Sequence, residues 1–175
     1  TGVVLLATGM LLGLTGALQY LVPSFIKQYV SFEKIRPLHV SSVVFWIIFA
    51  AIGSVLTYLQ EYTGKKIYSP LLLKIQFCIF AFTVLIILIS YFFGVFGGRE
   101  YWEFHPLLAL PIAISWILFI INFLKSIGSF KNIPVYVWMW LTGLFFFLFT
   151  YMESYLWLFP YFRNNVINDM TVQWK

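Results

Sequence analysis

The sequence predicts an all-α, polytopic transmembrane bundle of about five membrane-spanning helices. Three observations point there. Of 175 residues, 62% are hydrophobic and only 10% are charged, whereas a soluble domain holds about 45–50% apolar and about 25% charged residues. The apolar runs are long and continuous rather than alternating, which favours helices over a lipid-facing barrel. Prolines and polar clusters divide the chain into segments of 20 or more residues, enough to cross a hydrocarbon core of about 30 Å.

The elements follow in order. Helix one is expected over residues 1–22 and stops at Pro23. Gly9, Gly13 and Gly16 line one of its faces, and the Gly9-x-x-x-Gly13 spacing suits close packing against another helix. A loop is expected over 24–36. Helix two is expected over 37–60, with Pro37 in its first turn, where a missing N–H costs nothing. Helix three spans about 70–95, helix four about 106–126 and helix five about 134–159, closed by Pro160. There is no internal repeat, so residues 1–175 read as one transmembrane domain. Thr1 already sits in an apolar run and Lys175 follows a polar stretch, so the chain reads as part of a longer one, cut at both ends.

Several function classes are excluded. The net charge of +5 is spread over loops, which argues against nucleic acid as a partner and leaves the lipid bilayer as the surrounding medium. Cys78 is the only cysteine, so there is no internal disulfide and no Cys-x-x-Cys-His haem attachment. Charge does not orient the bundle. One membrane side would hold Lys65, Lys66, Lys125 and Lys131. The other would hold Lys27, Lys34, Arg36, Arg99 and Arg163. Acidic residues count for little in the positive-inside rule, so the two sides nearly tie.

Three places can carry chemistry. His39 lies near the start of helix two, in Arg36-Pro37-Leu38-His39. An imidazole at membrane depth is costly and marks a site by default. Ser42, Val43 and Trp46 share its face. It reads as an axial ligand to a haem iron, with Arg36 one turn earlier near the acidic groups of the cofactor; the alternative is a helix-end histidine at headgroup level. The second place is the run from Gly97 to Pro106, which contains Glu100, Glu103 and His105. Its two carboxylates, three residues apart, fall on one side of a turn. They suit calcium or proton relay, and the alternative is an interfacial loop with an aromatic belt. The loop shares a membrane side with His39, so a cation there could meet the propionates of a haem held by His39. Third is Glu153 in helix five, which is either functional at membrane depth or close enough to Pro160 to reach the interface.

These residues carry a resemblance. The chain resembles the N-terminal third of the catalytic subunit of haem–copper oxidases, on the branch that holds nitric oxide reductases and cbb-type cytochrome oxidases. Arg36-Pro37-Leu38-His39 looks like that branch's second helix, whose histidine ligates low-spin haem b. Gly98-Arg99-Glu100-Tyr101-Trp102-Glu103 is similar to the Gly-Arg-Glu-aromatic-x-Glu loop of nitric oxide reductases. Asn168-Asp169-Met170-Thr171-Val172-Gln173-Trp174 looks like the cbb-type segment that leads into the sixth helix.

The resemblance implies a twelve-helix-type oxidase fold, of which this is one part. It implies His39 as the haem b ligand, Arg36 beside the propionates, Glu100 as a calcium ligand and Glu103 as a proton-transfer residue. The high-spin haem and the copper or non-haem iron would be held by the remainder of the subunit. A cytochrome c-type subunit or another electron donor would be the partner. The setting implied is a bacterial inner membrane, with His39 on the periplasmic side. The reaction implied is reduction of oxygen or nitric oxide. His105 matches no ligand position of the family. The competing reading is a non-enzymatic membrane subunit or small transporter.

Overall fold

The computed structural model describes residues 1–97, 101–156 and 159. All regular elements among the described residues are helical: α1 (Gly2–Leu21), α2 (Phe32–Thr63), α3 (Pro70–Phe92), α4 (Ala109–Ile127) and α5 (Val135–Leu156), with a short 3-10 turn over Pro106–Leu108 leading into α4. Among the described residues, five helices are long and apolar enough to cross a membrane. Large apolar side chains such as Leu21, Phe82, Met139 and Phe149 point outward, as hydrocarbon permits and water does not. The chain is an integral membrane protein.

Helix starts follow local chemistry. Ser69 caps α3, its Oγ accepting the Leu72 N–H at 3.2 Å, and Pro70 occupies the first helical position as expected. Pro134 immediately precedes α5, and its carbonyl accepts from Val137 N at 3.1 Å.

The start of α2 differs from expectation. The helix begins at Phe32, and Pro37 lies inside it. The Ser31 carbonyl accepts from Lys34 and Ile35, and Glu33 in the first turn complements the helix dipole. Pro37 leaves the Glu33 carbonyl without its helical donor, but Glu33 is exposed, so water can satisfy it. The α3 helix stops at Phe92, a few residues early. Gly94, at φ +76, permits a Schellman close in which Val95 N–H bonds Ser90 O at 2.8 Å and Gly94 N–H bonds Tyr91 O at 2.9 Å. Pro160 lies outside the described residues.

The chain forms two compact units. The first holds Thr1–Tyr58 and Ala81–His105. Here α1 turns Leu5, Gly9, Gly16 and Gln19 inward. The Gln19 amide donates to the carbonyls of Phe25 at 3.0 Å and Val30 at 2.9 Å, which fixes the connection that Pro23 opens.

The second unit holds Leu59–Phe80 and Pro106–Lys175. Trp116 on α4 donates its indole N–H to Leu144 O on α5 at 2.9 Å and packs on Phe147 with ring centroids 4.2 Å apart. Asn122, 1% exposed, accepts from Ser69 N at 3.1 Å and donates to Ser69 O at 3.1 Å. One side chain therefore satisfies both backbone groups of the residue that caps α3.

Asn122→Ala strands that N–H and takes one of two donors from the carbonyl, which keeps the Leu73 N–H at 3.1 Å. We expect a loss of about 1–3 kcal/mol, read as a lower thermal unfolding midpoint in detergent. An unchanged midpoint would show that the staple carries no stability.

Candidate functional site

The site is built where α1 and α2 meet. An α-helix carries its side chains outward, so two helices approach closely only where small residues face each other. Gly9, Gly13 and Gly16 provide that face. A Cβ at Gly9 would stand 2.9 Å from Val43 Cγ2, and one at Gly16 would stand 3.3 Å from Ile35 Cγ2. At Gly13 the neighbour is the imidazole itself: a Cβ would lie 2.8 Å from His39 Cε1 and 2.9 Å from Nδ1. The ring occupies the space that any other residue at position 13 would fill.

That closeness sets the imidazole's chemistry. His39 Nδ1 lies 2.7 Å from the Gly9 carbonyl oxygen. A carbonyl only accepts, so Nδ1 carries the hydrogen and donates it. In the neutral ring this tautomer places the lone pair on Nε2. A metal-ligating histidine is usually held this way, its other N–H given to a carbonyl or carboxylate that fixes the ring and raises its basicity. His39 also borders an open groove of about 160 Å³, flanked by Gly13, Gly16, Tyr20, Phe32 and Arg36. An imidazole held through Nδ1, an apolar flank and one guanidinium fit what a haem iron and its acidic edge require.

Arg36, one turn before His39, pairs with Glu103 at 2.5 Å between Nη2 and Oε1. The two residues are 67 positions apart, so the ion pair brings the loop after α3 to the start of α2. Arg36 is half exposed, at 48%, and Glu103 is 17% exposed. An exposed pair adds little stability, about 0–1 kcal/mol, so its consequence is where it holds the carboxylate. The loop is anchored below by Phe104, which is fully buried. Phe104 packs on Phe45 of α2 and on Trp102, with centroids 6.3 and 6.0 Å apart. Gly97 N–H donates to Glu103 O at 3.0 Å, pairing the two ends of the loop.

Of the sequence-predicted residues, the structure therefore brings together His39, Arg36 and Glu103. Glu100, with Gly98 and Arg99, lies outside the described residues, as does the 168–174 segment. His105 is exposed at the end of the loop. Glu153 lies half-buried in α5, within the second unit.

Three participants were missed by the sequence reading. The Gly9 carbonyl and the space at Gly13 were visible only as a packing stripe. Tyr91, whose hydroxyl accepts from Ser41 at 3.3 Å, carried a signal that could have found it. Phe80, Val84, Ile87 and Tyr91 recur every three to four residues, all buried, which places a polar tip on an apolar face.

The site is thus a carbonyl-held imidazole beside an arginine–glutamate pair in a helical membrane protein. The family is identified by comparison. The model for "Cytochrome C and Quinol oxidase polypeptide I" matches residues 1–174, and the chain belongs to that family.

Among its relatives is the Cbb3-type cytochrome c oxidase subunit CcoN1 of Stutzerimonas stutzeri, 28% identical over 140 residues, covering 78% of this chain and 30% of that protein. A cytochrome c oxidase subunit 1 homolog of Azorhizobium caulinodans is 30% identical over 139 residues, covering 75% and 24%. A nitric oxide reductase subunit of Stutzerimonas stutzeri is 25% identical over 127 residues, covering 65% and 27%. The matched region thus spans between 24% and 30% of the length of these relatives.

The tautomer is directly measurable. In ¹⁵N-histidine-labelled protein, with the His39 signal assigned by its loss in His39→Gln, Nδ1 should read as protonated and Nε2 as unprotonated. Gly13→Ala pushes the ring off its carbonyl and should shift both signals. A protonated Nε2 in the unmodified chain would contradict the geometry.

Proposed function

We propose that this chain is the N-terminal part of the catalytic subunit of a respiratory haem–copper oxidase or nitric oxide reductase, and that His39 is an axial ligand of its low-spin haem b. The observation that carries the reading is the 2.7 Å contact between His39 Nδ1 and Gly9 O. It leaves Nε2 as the nitrogen that would meet a metal, beside a groove with an apolar flank. Family membership supports the reading independently, since the relatives carry oxidase and nitric oxide reductase names.

When bound, a low-spin haem b supplies one-electron transfer, and a high-spin haem with copper or non-haem iron, held by the remainder of the subunit, supplies the site where oxygen or nitric oxide is reduced. In this chain, His39 offers the nitrogen and fixes its direction. Arg36 offers a guanidinium to the propionate region. Glu103 holds or releases a proton at its carboxylate, next to Arg36. Glu100, by the family resemblance, is a calcium ligand. The electron donor would be a cytochrome c-type subunit or an equivalent carrier. The setting would be a bacterial inner membrane, with the His39 end periplasmic.

These assignments separate by mutation. His39→Ala should abolish the low-spin haem b signal of the purified full-length protein, because one strong axial donor is gone. Unchanged haem stoichiometry with an unchanged low-spin spectrum would sink the ligand assignment.

Glu100→Ala should cost haem content as well as activity, because a cation between propionates organises cofactors. Glu103→Ala should keep its haem and lower turnover by about 100-fold, the lower end of what a positioned proton-transfer group contributes. Full haem content and full activity in the Glu100 variant would remove the calcium role.

A further inference from the structure

The lysines of the second unit gather at one end of it. There α2 ends at Thr63, α3 begins at Pro70, α4 ends at Ile127 and α5 begins at Val135, and these ends touch. Ser126 Oγ accepts from Tyr68 N–H at 3.0 Å, beside the bond from Ser69 N–H to Asn122 at 3.1 Å. The rings of Tyr62 and Tyr136 meet edge to face, with centroids 6.4 Å apart. The connection that carries Lys65 and Lys66 is therefore fixed against the last turn of α4, which carries Lys125. Lys74 stands in the second turn of α3, and Lys131 lies just before α5. All five lysines are exposed. None of their ammonium groups pairs with a carboxylate among the described residues. Glu61 is the one described acid at this end.

An apolar groove starts at the same end. It has a volume of about 500 Å³ and is lined by Trp138, Leu141, Thr142, Phe145, Phe146 and Phe149 of α5. Its mouth is tied to the basic surface, because the Trp138 ring packs on Phe130, the neighbour of Lys131, with centroids 5.7 Å apart. From Trp138 to Phe149 the helix rises about 16 Å, at about 1.5 Å per residue. That is the depth of one leaflet of a hydrocarbon core of about 30 Å. Helices that pack on one another in lipid meet through small residues, as α1 does at Gly9 and Gly13. The α5 groove is lined by bulky side chains, Thr142 aside, so a flexible chain fits it better than a second helix.

We propose that this end of the second unit binds an anionic membrane phospholipid: the lysines take the phosphate of its headgroup, and the α5 groove takes an acyl chain. Unpaired lysines at headgroup level supply the charge complementarity, since each basic residue near an anionic lipid surface favours binding. The tryptophan at the groove mouth sits where aromatic rings collect at membrane interfaces.

The test uses the full-length protein in detergent with two probes, phosphatidylglycerol and phosphatidylcholine, each bearing a photoreactive acyl chain. Phosphatidylglycerol should label residues 138–149 at a lower concentration than phosphatidylcholine does. In Lys125→Gln and Lys131→Gln, its half-labelling concentration should rise about fivefold for each lysine replaced, with phosphatidylcholine unaffected and the unfolding midpoint unchanged. Thr142→Trp, which fills the groove, should remove the label from residues 138–149.

Equal half-labelling concentrations for the two lipids would overturn the proposal. So would an unlabelled 138–149 segment, the result expected if other helices of the subunit cover the groove. Displacement of the phosphatidylglycerol probe by millimolar inorganic phosphate at constant ionic strength would assign the lysines to free phosphate and equally overturn the lipid site.

Discussion

The approach of α1 to α2 is the constraint on which the candidate site depends. Two helices of ordinary residues are held apart by their side chains. Gly9, Gly13 and Gly16 remove that spacing along one face, and the histidine ring takes the room left at Gly13. The contact is steric in origin and chemical in result. A backbone carbonyl that normally faces only its own helix becomes accessible to a side chain from another, and it fixes the tautomer of His39. A neutral donor in one orientation is needed before a metal can be bound in one orientation. In lipid, where no water competes for the ring N–H, the carbonyl is also the natural place for it.

The loop after α3 depends on the same part of the fold. It reaches α2 at two depths: Glu103 pairs with Arg36 near the surface, and Phe104 packs on Phe45 below. Beside them, Tyr91 at the end of α3 accepts a hydrogen bond from Ser41 of α2. Ser41 and His39 are two residues apart on α2, so one short stretch of helix meets α1 on one side and the end of α3 on another. The second unit uses different means. Trp116 and Asn122 place single polar groups on backbone partners, which secures helices and turns without leaving a buried donor unmet.

The five spans were legible because each is a long apolar run bounded by proline or polar residues, and the Ser69-Pro70 start of α3 could be read directly. The start of α2 was not. Pro37 resembles a first-turn proline, but the stronger signals were Ser31 and Glu33 upstream, and a second-turn proline is tolerated at an exposed helix end. Depth singled out His39 as a candidate, and resemblance supplied its expected role. Its partner was not recognisable, because the hydrogen bond crosses 30 positions and ends on a carbonyl, which leaves no mark in sequence. Arg36 and Glu103 were placed on one membrane side, yet their pairing needed the fold of a loop closed by Gly97. Resemblance supplied the roles of Glu100 and Glu103, which no spacing argument could assign.

The central claim is that the His39 imidazole, set by the α1 glycine face, is the donor to a low-spin haem. Imidazole rescue tests it most directly. His39→Gly should leave a ring-sized gap against Gly13, and the purified full-length variant should lack the low-spin b-type band in its reduced-minus-oxidised spectrum. Added imidazole should enter that gap and restore the band. A variant that shows the full band before any imidazole is added would contradict the account.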